Sequence, residues 1–273
     1  MIFLFLVLFS VGQCAQFIPI EDGGSPVEVC RLLSAIGRGL IYTGAFNGTT
    51  CGDPSAELIA IKCDKEGSLE DEFSRTREIS PIQDFVYEKV IAPSHPTRVC
   101  FTLKLFGPSL ATIRDKRPGQ IWPWEVISLI GIRLVSQLER IHASGYAHMD
   151  LHFLNVVAQN HNVTDLSSFM LDDPVVIDFG DAKSLRDPAT APIYMKNDLM
   201  QIMVALRYLV DGDYKFYVEK RYGFNPKTAM DRSKGGICID SPPSYCEILN
   251  YIYSLKPIET PDYGFVISQL STN

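Results

Sequence analysis

A chain of 273 residues, 46% hydrophobic and 21% charged, can bury a substantial core, which excludes wholesale disorder. Its net charge of −7 excludes a general binder of nucleic acid or anionic membrane. One large domain or two lobes fit this length.

Residues 2–11 are almost wholly apolar, and Gly12-Gln13-Cys14-Ala15 follows with small residues suited to cleavage. This is the layout of a signal peptide over residues 1–15, although no Lys or Arg precedes the run; a buried first strand is the alternative. The run is shorter than the ~20 apolar residues needed to span a bilayer, so no membrane span is expected after signal removal. Cleavage at Ala15 leaves Cys30, Cys51, Cys63, Cys100, Cys238 and Cys246. An even set suits disulfides in a secreted protein or the secretory lumen, without fixing their pairing. Reduced core thiols stay open for Cys63 and Cys100, which lie in strand-like runs. Asn47-Gly48-Thr49 and Asn162-Val163-Thr164 are glycan acceptor sequons in polar stretches.

Residues 16–26, with Glu21-Asp22-Gly23-Gly24, read as a linker. Val27–Ile36 fits a short helix or a strand. Leu40–Phe46 and Ala56–Cys63 read as strands joined by a polar loop. Leu69–Ile79 fits a helix stopped by Pro81, and Arg98–Leu105 another strand. From Pro123 the pattern changes. Val126, Leu129, Ile130, Leu134, Leu138 and Ile141 recur at helical spacing and predict a helix over Trp124–Ala143, stopped at Gly145. Asp198–Val210 repeats the pattern, and Cys246–Leu255 and Phe265–Leu270 are further helical stretches. Strands first and helices second predict an α+β chain: a small antiparallel-sheet lobe followed by a larger helical lobe.

Chemistry concentrates in Ala147–Asn155 and Val175–Gly180. A carboxylate at Asp150, an amide at Asn155 and a second carboxylate at Asp178 are the parts of a phosphoryl-transfer site. Asp150 would orient the acceptor hydroxyl, while Asn155 and Asp178 supply the hard oxygens that magnesium prefers. His152 is placed where it could approach the transferring phosphate; His148 fits a structural role within the core. Lys62 closes Ile59-Ala60-Ile61 and could project a fixed charge onto the α and β phosphates, held by Glu72 or Glu78 of the next helix. Gly37-Arg38-Gly39 fits the start of a phosphate-covering loop or a plain hairpin turn. Histidine and cysteine spacings predict no zinc site.

With these motifs in order, the chain resembles a eukaryotic protein kinase from about Ile36 to Leu270. More narrowly, it resembles the casein-kinase-I superfamily, which includes tau-tubulin and vaccinia-related kinases. Leu105-Phe106-Gly107-Pro108-Ser109-Leu110, Asp178-Phe179-Gly180-Asp181-Ala182-Lys183 and Pro261-Asp262-Tyr263 carry the narrower resemblance. It implies a bilobal kinase fold over residues 27–270, with the N-lobe at about 27–106 and the C-lobe at about 107–270. It also implies ATP and Mg2+ as cofactors. By position, Lys62 matches the phosphate lysine, Asp150 the catalytic aspartate, and Asn155 and Asp178 the magnesium ligands. Ala60 and Leu103 match the adenine-pocket ceiling and the gatekeeper.

The chain departs from the pattern at four places. Met149 replaces the arginine beside the catalytic aspartate, so a phosphorylated activation loop would find no partner there. His152 replaces a lysine and is similar to small-molecule kinases of the aminoglycoside and choline type. The glycine loop is short, and only seventeen residues separate Gly180 from Asp198. The sequence therefore predicts an ATP-dependent, Ser/Thr protein kinase-like phosphotransferase of the secretory route, with a protein or small molecule as acceptor. Its alternatives are a pseudokinase serving as a binding module and a small-molecule kinase.

Overall fold

The structure is a computed structural model that describes residues 16–18, 27–36, 39–45, 50–56, 58–65, 68–79, 89–91, 98–116, 122–170, 173–211 and 241–272. The signal-peptide stretch, Gly37, the Asn47 sequon and Cys238 lie outside these residues. The backbone divides into two compact units, residues 1–71 with 85–105 and residues 72–84 with 106–273.

The first unit is an antiparallel six-stranded sheet of β1 (Gln16–Ile18), β2 (Val27–Ile36), β3 (Gly39–Ala45), β4 (Leu58–Lys65), β5 (Lys89–Ile91) and β6 (Arg98–Lys104), in the order β1-β2-β3-β4-β6-β5. Side chains alternate across β4 with the period of a strand. Ile59, Ile61 and Cys63 are buried and pack with Cys100, Val29, Leu40 and Tyr42, whereas Ala60 and Lys62 share the opposite face. Register sets Ala60 against Leu103 and Lys62 against Phe101, so the expected adenine-pocket pair is a cross-strand pair.

The same register puts Cys63 directly opposite Cys100, and the two are joined in a disulfide. Cys30 is joined to Cys51, fastening β2 to the loop that precedes β4. Cys246 is disulfide-bonded as well. The option of reduced thiols at Cys63 and Cys100 is thereby corrected. The linker reading of residues 16–26 is corrected at its start: Gln16–Ile18 pairs with Val27–Val29 and continues the sheet, giving an edge strand's open backbone groups a partner. Val27–Ile36 resolves to a strand.

The second unit is mainly helical. It contains most of α1 (Ser68–Ile79), then α2 (Leu110–Asp115), α3 (Trp124–Ala143), α4 (Leu166–Met170), α5 (Ala191–Asp211), α6 (Pro243–Ser254) and α7 (Tyr263–Leu270). Two short antiparallel pairs decorate it: β8 (Val156–Ala158) pairs with β9 (Pro174–Val176), and β7 (Tyr146–Ala147) with β10 (Lys183–Ser184). Four residues of the stripe predicted for α3, Ile130, Leu134, Leu138 and Ile141, are buried at 0–2% exposure, whereas Leu129 is 50% exposed and Val126 half-buried, and Ile127 takes the buried position in their place. Gly145, with φ of 92°, follows it in the left-handed region as a helix stop requires. α3 packs on α5 and α7 across Gly131, where an added Cβ would lie 2.7 Å from Leu206 Cδ1.

The Phe106–Leu110 motif has a structural reason. Gly107 N–H donates to Ala158 O at 2.8 Å and Ala158 N–H to Pro108 O at 3.1 Å, laying the segment along β8. Ser109 then caps α2 by accepting Thr112 N–H at 3.1 Å. A Cβ at Gly107 would lie 2.2 Å from the Asn160 carbonyl oxygen and 2.9 Å from Ala158 Cβ. Backbone cannot yield as a flexible side-chain tip would, so Gly107→Ala is expected to destabilise the protein by about 1–3 kcal/mol, read as a lower urea midpoint at unchanged slope.

α5 starts seven residues before Asp198, where the apolar repeat placed its beginning. Asp187 prepares this entry: its carboxylate accepts Ala189 N–H at 3.0 Å and Thr190 Oγ1–H at 3.0 Å, and its carbonyl accepts Ala191 N–H at 2.9 Å. Pro192 falls in the first turn, where a missing N–H costs no helical hydrogen bond. The stretch between Gly180 and α5 is therefore even shorter than the sequence spacing to Asp198 suggests.

Candidate active site

The candidate site of the second unit is built on a loop fastened from beneath by α5. Asp198 is fully buried. Its Oδ2 accepts His148 N–H at 2.6 Å and its Oδ1 accepts Met149 N–H at 2.7 Å. Gln201, one helical turn on, accepts Leu151 N–H at 2.8 Å and donates to Met149 O at 3.0 Å. These bonds hold Met149 at φ 68°, a left-handed conformation that costs a side-chain-bearing residue about 1–2 kcal/mol. Asp198 Oδ2 also lies 2.9 Å from His142 Nε2, and His142 Nδ1 meets the Tyr263 hydroxyl. Tyr263 of the Pro261-Asp262-Tyr263 motif is thus joined through α3 to the residue beneath the loop. Burial, followed by the nearby Asp198 charge, pushes the Tyr263 phenol far above its ordinary range, so it stays protonated.

His148 has the structural role expected from the sequence. Fully buried, it receives Asp150 N–H on Nδ1 at 3.2 Å and donates from Nε2 to Ile177 O at 3.0 Å. Its ring packs 5.0 Å from that of Phe179, which is also fully buried. Burial is the largest cause lowering its pKa, and the neighbouring Asp198 charge opposes it. The folded protein therefore holds His148 neutral where an unfolded chain would take up a proton. The unfolded state binds more protons as pH falls through the ordinary value of 6.5, so folding free energy is lost below that pH. Chemical denaturation should show a slope approaching about 1.4 kcal/mol per pH unit there, absent in His148→Gln.

Asp150 is half-buried. Asn155 Nδ2 donates to its carbonyl at 3.0 Å and lies 3.3 Å from its Oδ2, and His152 Nε2 lies 3.3 Å from the same oxygen. Asn155 ends the 3₁₀ turn Phe153–Asn155 and immediately precedes β8. Val156 pairs with Val176, and Ile177 N–H donates to Asn155 O at 2.9 Å, so Asn155 and Asp178 emerge at the same end of the β8–β9 hairpin. Asp178 is exposed and held at φ 70°, a conformation aspartate tolerates better than most residues. Since Asn155 uses its NH2 on Asp150, its carbonyl oxygen is the end that would face a metal ion. One amide and one carboxylate oxygen suit magnesium, which keeps several waters and shares phosphate oxygens. Among the described residues no group of three His, Cys, Asp or Glu is arranged around a metal.

The two glutamates considered for Lys62 differ. Glu78 is exposed and accepts the Tyr146 hydroxyl at 2.6 Å, the main cause of a raised Tyr146 pKa. Glu72 is buried, and a Cβ on Gly180 would lie 3.5 Å from its Oε2 and 3.3 Å from Asp178 Oδ1. Arg75, on the same helix, donates to Gly180 O at 2.6 Å. Lys62, Ala60, Leu103 and Gly39 belong to the sheet of the first unit. Sequence reasoning missed Arg75, Gln201, His142 and the anchoring work of Asp198. One available signal was a charged residue, Asp198, at the head of a largely apolar helical repeat.

No family model and no curated protein sequence matches the chain. Among solved structures, that of vaccinia related kinase 3 matches with a TM-score of 0.66, covering 97% of this chain and 91% of that one at 13% identity. The chain has a protein kinase-like fold. At such low identity the likeness concerns the fold alone. Within that kinase-like fold, activity has to be argued from the side chains just described.

Proposed function

We propose that the protein is an ATP-dependent phosphotransferase of the casein-kinase-I type, working in the secretory lumen or after secretion. The observation that carries this is the placement of Asp150, Asn155 and Asp178, with the amide of Asn155 on Asp150 and its backbone carbonyl on the strand leading to Asp178. Asp150 accepts a hydrogen bond from the acceptor O–H. The acceptor oxygen bonds to the γ-phosphorus, the bond from phosphorus to the β-phosphate oxygen breaks, and the proton passes to Asp150. Asn155 and Asp178 would hold magnesium, which neutralises charge on the phosphates. Lys62 is assigned to the α and β phosphates, with Ala60 and Leu103 toward the adenine. An excess of Mg-ATP at 100 times its Kd should stabilise the protein by about 2.7 kcal/mol, and the stabilisation should fall in Asp178→Ala. No stabilisation of the wild type would contradict nucleotide binding.

The brevity of the Gly180–Thr190 segment before α5 favours a second reading, transfer to a small-molecule hydroxyl. A metabolite panel separates the two: labelling of metabolites with no labelled protein supports the second. Nucleotide binding without turnover would instead make the chain a pseudokinase binding module.

Disulfides within the first unit and the apolar N-terminus support the compartment. No described helix is long and apolar enough to cross a membrane. Asn162 is exposed in a turn where its N–H donates to Asn160 Oδ1, which suits a glycan acceptor. Deleting residues 1–15 should abolish secretion, and unchanged secretion would contradict the signal-peptide assignment.

A further inference from the structure

We infer that His152 is a positioning residue that holds the Asp150 carboxylate in its working orientation. This deepens the phosphotransfer reading and rests on it. His152 is 5% exposed and caps the 3₁₀ turn, its Nδ1 accepting Leu154 N–H at 3.2 Å. A ring nitrogen that accepts a hydrogen bond carries no proton, so the neutral imidazole is protonated on Nε2. That nitrogen lies 3.3 Å from Asp150 Oδ2, the oxygen also approached by Asn155 Nδ2 at 3.3 Å. Backbone geometry thus fixes the tautomer, and the tautomer aims a donor at the carboxylate. With the ring buried in its own loop, the contact faces little competition from water.

His148 supports the same residue by a different atom, receiving the Asp150 backbone N–H. Asn155 fixes the Asp150 carbonyl and reaches its carboxylate. His152 touches the carboxylate alone among the Asp150 groups, so its substitution should change orientation of the reacting group and leave nucleotide affinity untouched. This assigns His152 to Asp150 where the sequence suggested an approach to the phosphate.

Two substitutions in the full chain separate the cap from the positioning contact. His152→Asn keeps a short acceptor for Leu154 N–H, as a good cap does, but its amide falls short of Asp150. His152→Gln extends an amide N–H to the Nε2 position. With Mg-ATP hydrolysis as the assay and water as acceptor, His152→Asn should keep its melting temperature and KM for ATP while kcat falls about tenfold, and His152→Gln should recover most of that kcat. Equal kcat in the two variants overturns the inference. Nitrogen-15 NMR of the histidine rings reads the contact without turnover. An Nε2–H tautomer for His152, with an Nε2 resonance that moves in Asp150→Ala, is expected; an Nδ1–H tautomer overturns it. A wild type that hydrolyses no ATP defeats the phosphotransfer reading instead, and the NMR result then decides the His152–Asp150 contact by itself.

Discussion

Asp150→Asn is expected to lower phosphate transfer about 100- to 10,000-fold while stabilisation by Mg-ATP persists. The substitution preserves volume and leaves the carbonyl bond to Asn155 and the backbone bond to His148 in place. What it removes is the negative charge that orients the acceptor hydroxyl and takes its proton. The amide of Asn keeps its one acceptor oxygen for the two donors that now meet Oδ2, namely His152 Nε2 and Asn155 Nδ2, and so presents its NH2, a donor, to the acceptor hydroxyl. The loss should therefore appear in kcat, with little change in KM for ATP. Equal phosphate incorporation by wild type and variant would remove Asp150 from the chemistry.

Asp198→Ala should be the most damaging single change to stability among the site residues. It deprives three donors of their acceptor: the N–H groups of His148 and Met149 and the ring of His142, around a carboxylate with no solvent exposure. Each unsatisfied buried donor costs about 1–3 kcal/mol, so a loss of several kcal/mol is expected for three of them. Met149 would also lose the bond that holds its left-handed backbone, and the loop carrying Asp150 would lose its register on α5. Asp198→Asn should recover only part, because its NH2 would face donors. A shift below about 1 kcal/mol by urea denaturation would show that the loop is anchored elsewhere.

Sequence periodicity located α3 with its ends because three signals coincide there: an apolar stripe, Pro123 before it and Gly145 after it. It placed the start of α5 too late, since the first two turns carry Pro192 and Lys196 and obscure the stripe. Asp150, Asn155 and Asp178 were legible because the chemistry demands particular residue types at short separations. The anchors were not. Asp198 lies fifty residues from His148 in sequence, and Tyr263 lies 121 from His142, so their contacts exist only after α3, α5 and α7 pack. Disulfide pairing was equally hidden: Cys63 and Cys100 become partners through the β4–β6 register. Glu72 and Glu78 differ in burial and in the bond to Tyr146, neither of which helix spacing reveals.

The central claim is that this kinase-like chain transfers phosphate through a magnesium-dependent site at Asp150, Asn155 and Asp178. The most direct measurement is transfer of label from γ-radiolabelled ATP, to water or to an added acceptor, by the purified protein. Wild type is expected to turn over with magnesium and stop with chelator, and Asp178→Ala is expected to show no transfer above background. Equal transfer by wild type and Asp178→Ala, or none by wild type at saturating Mg-ATP, would contradict it.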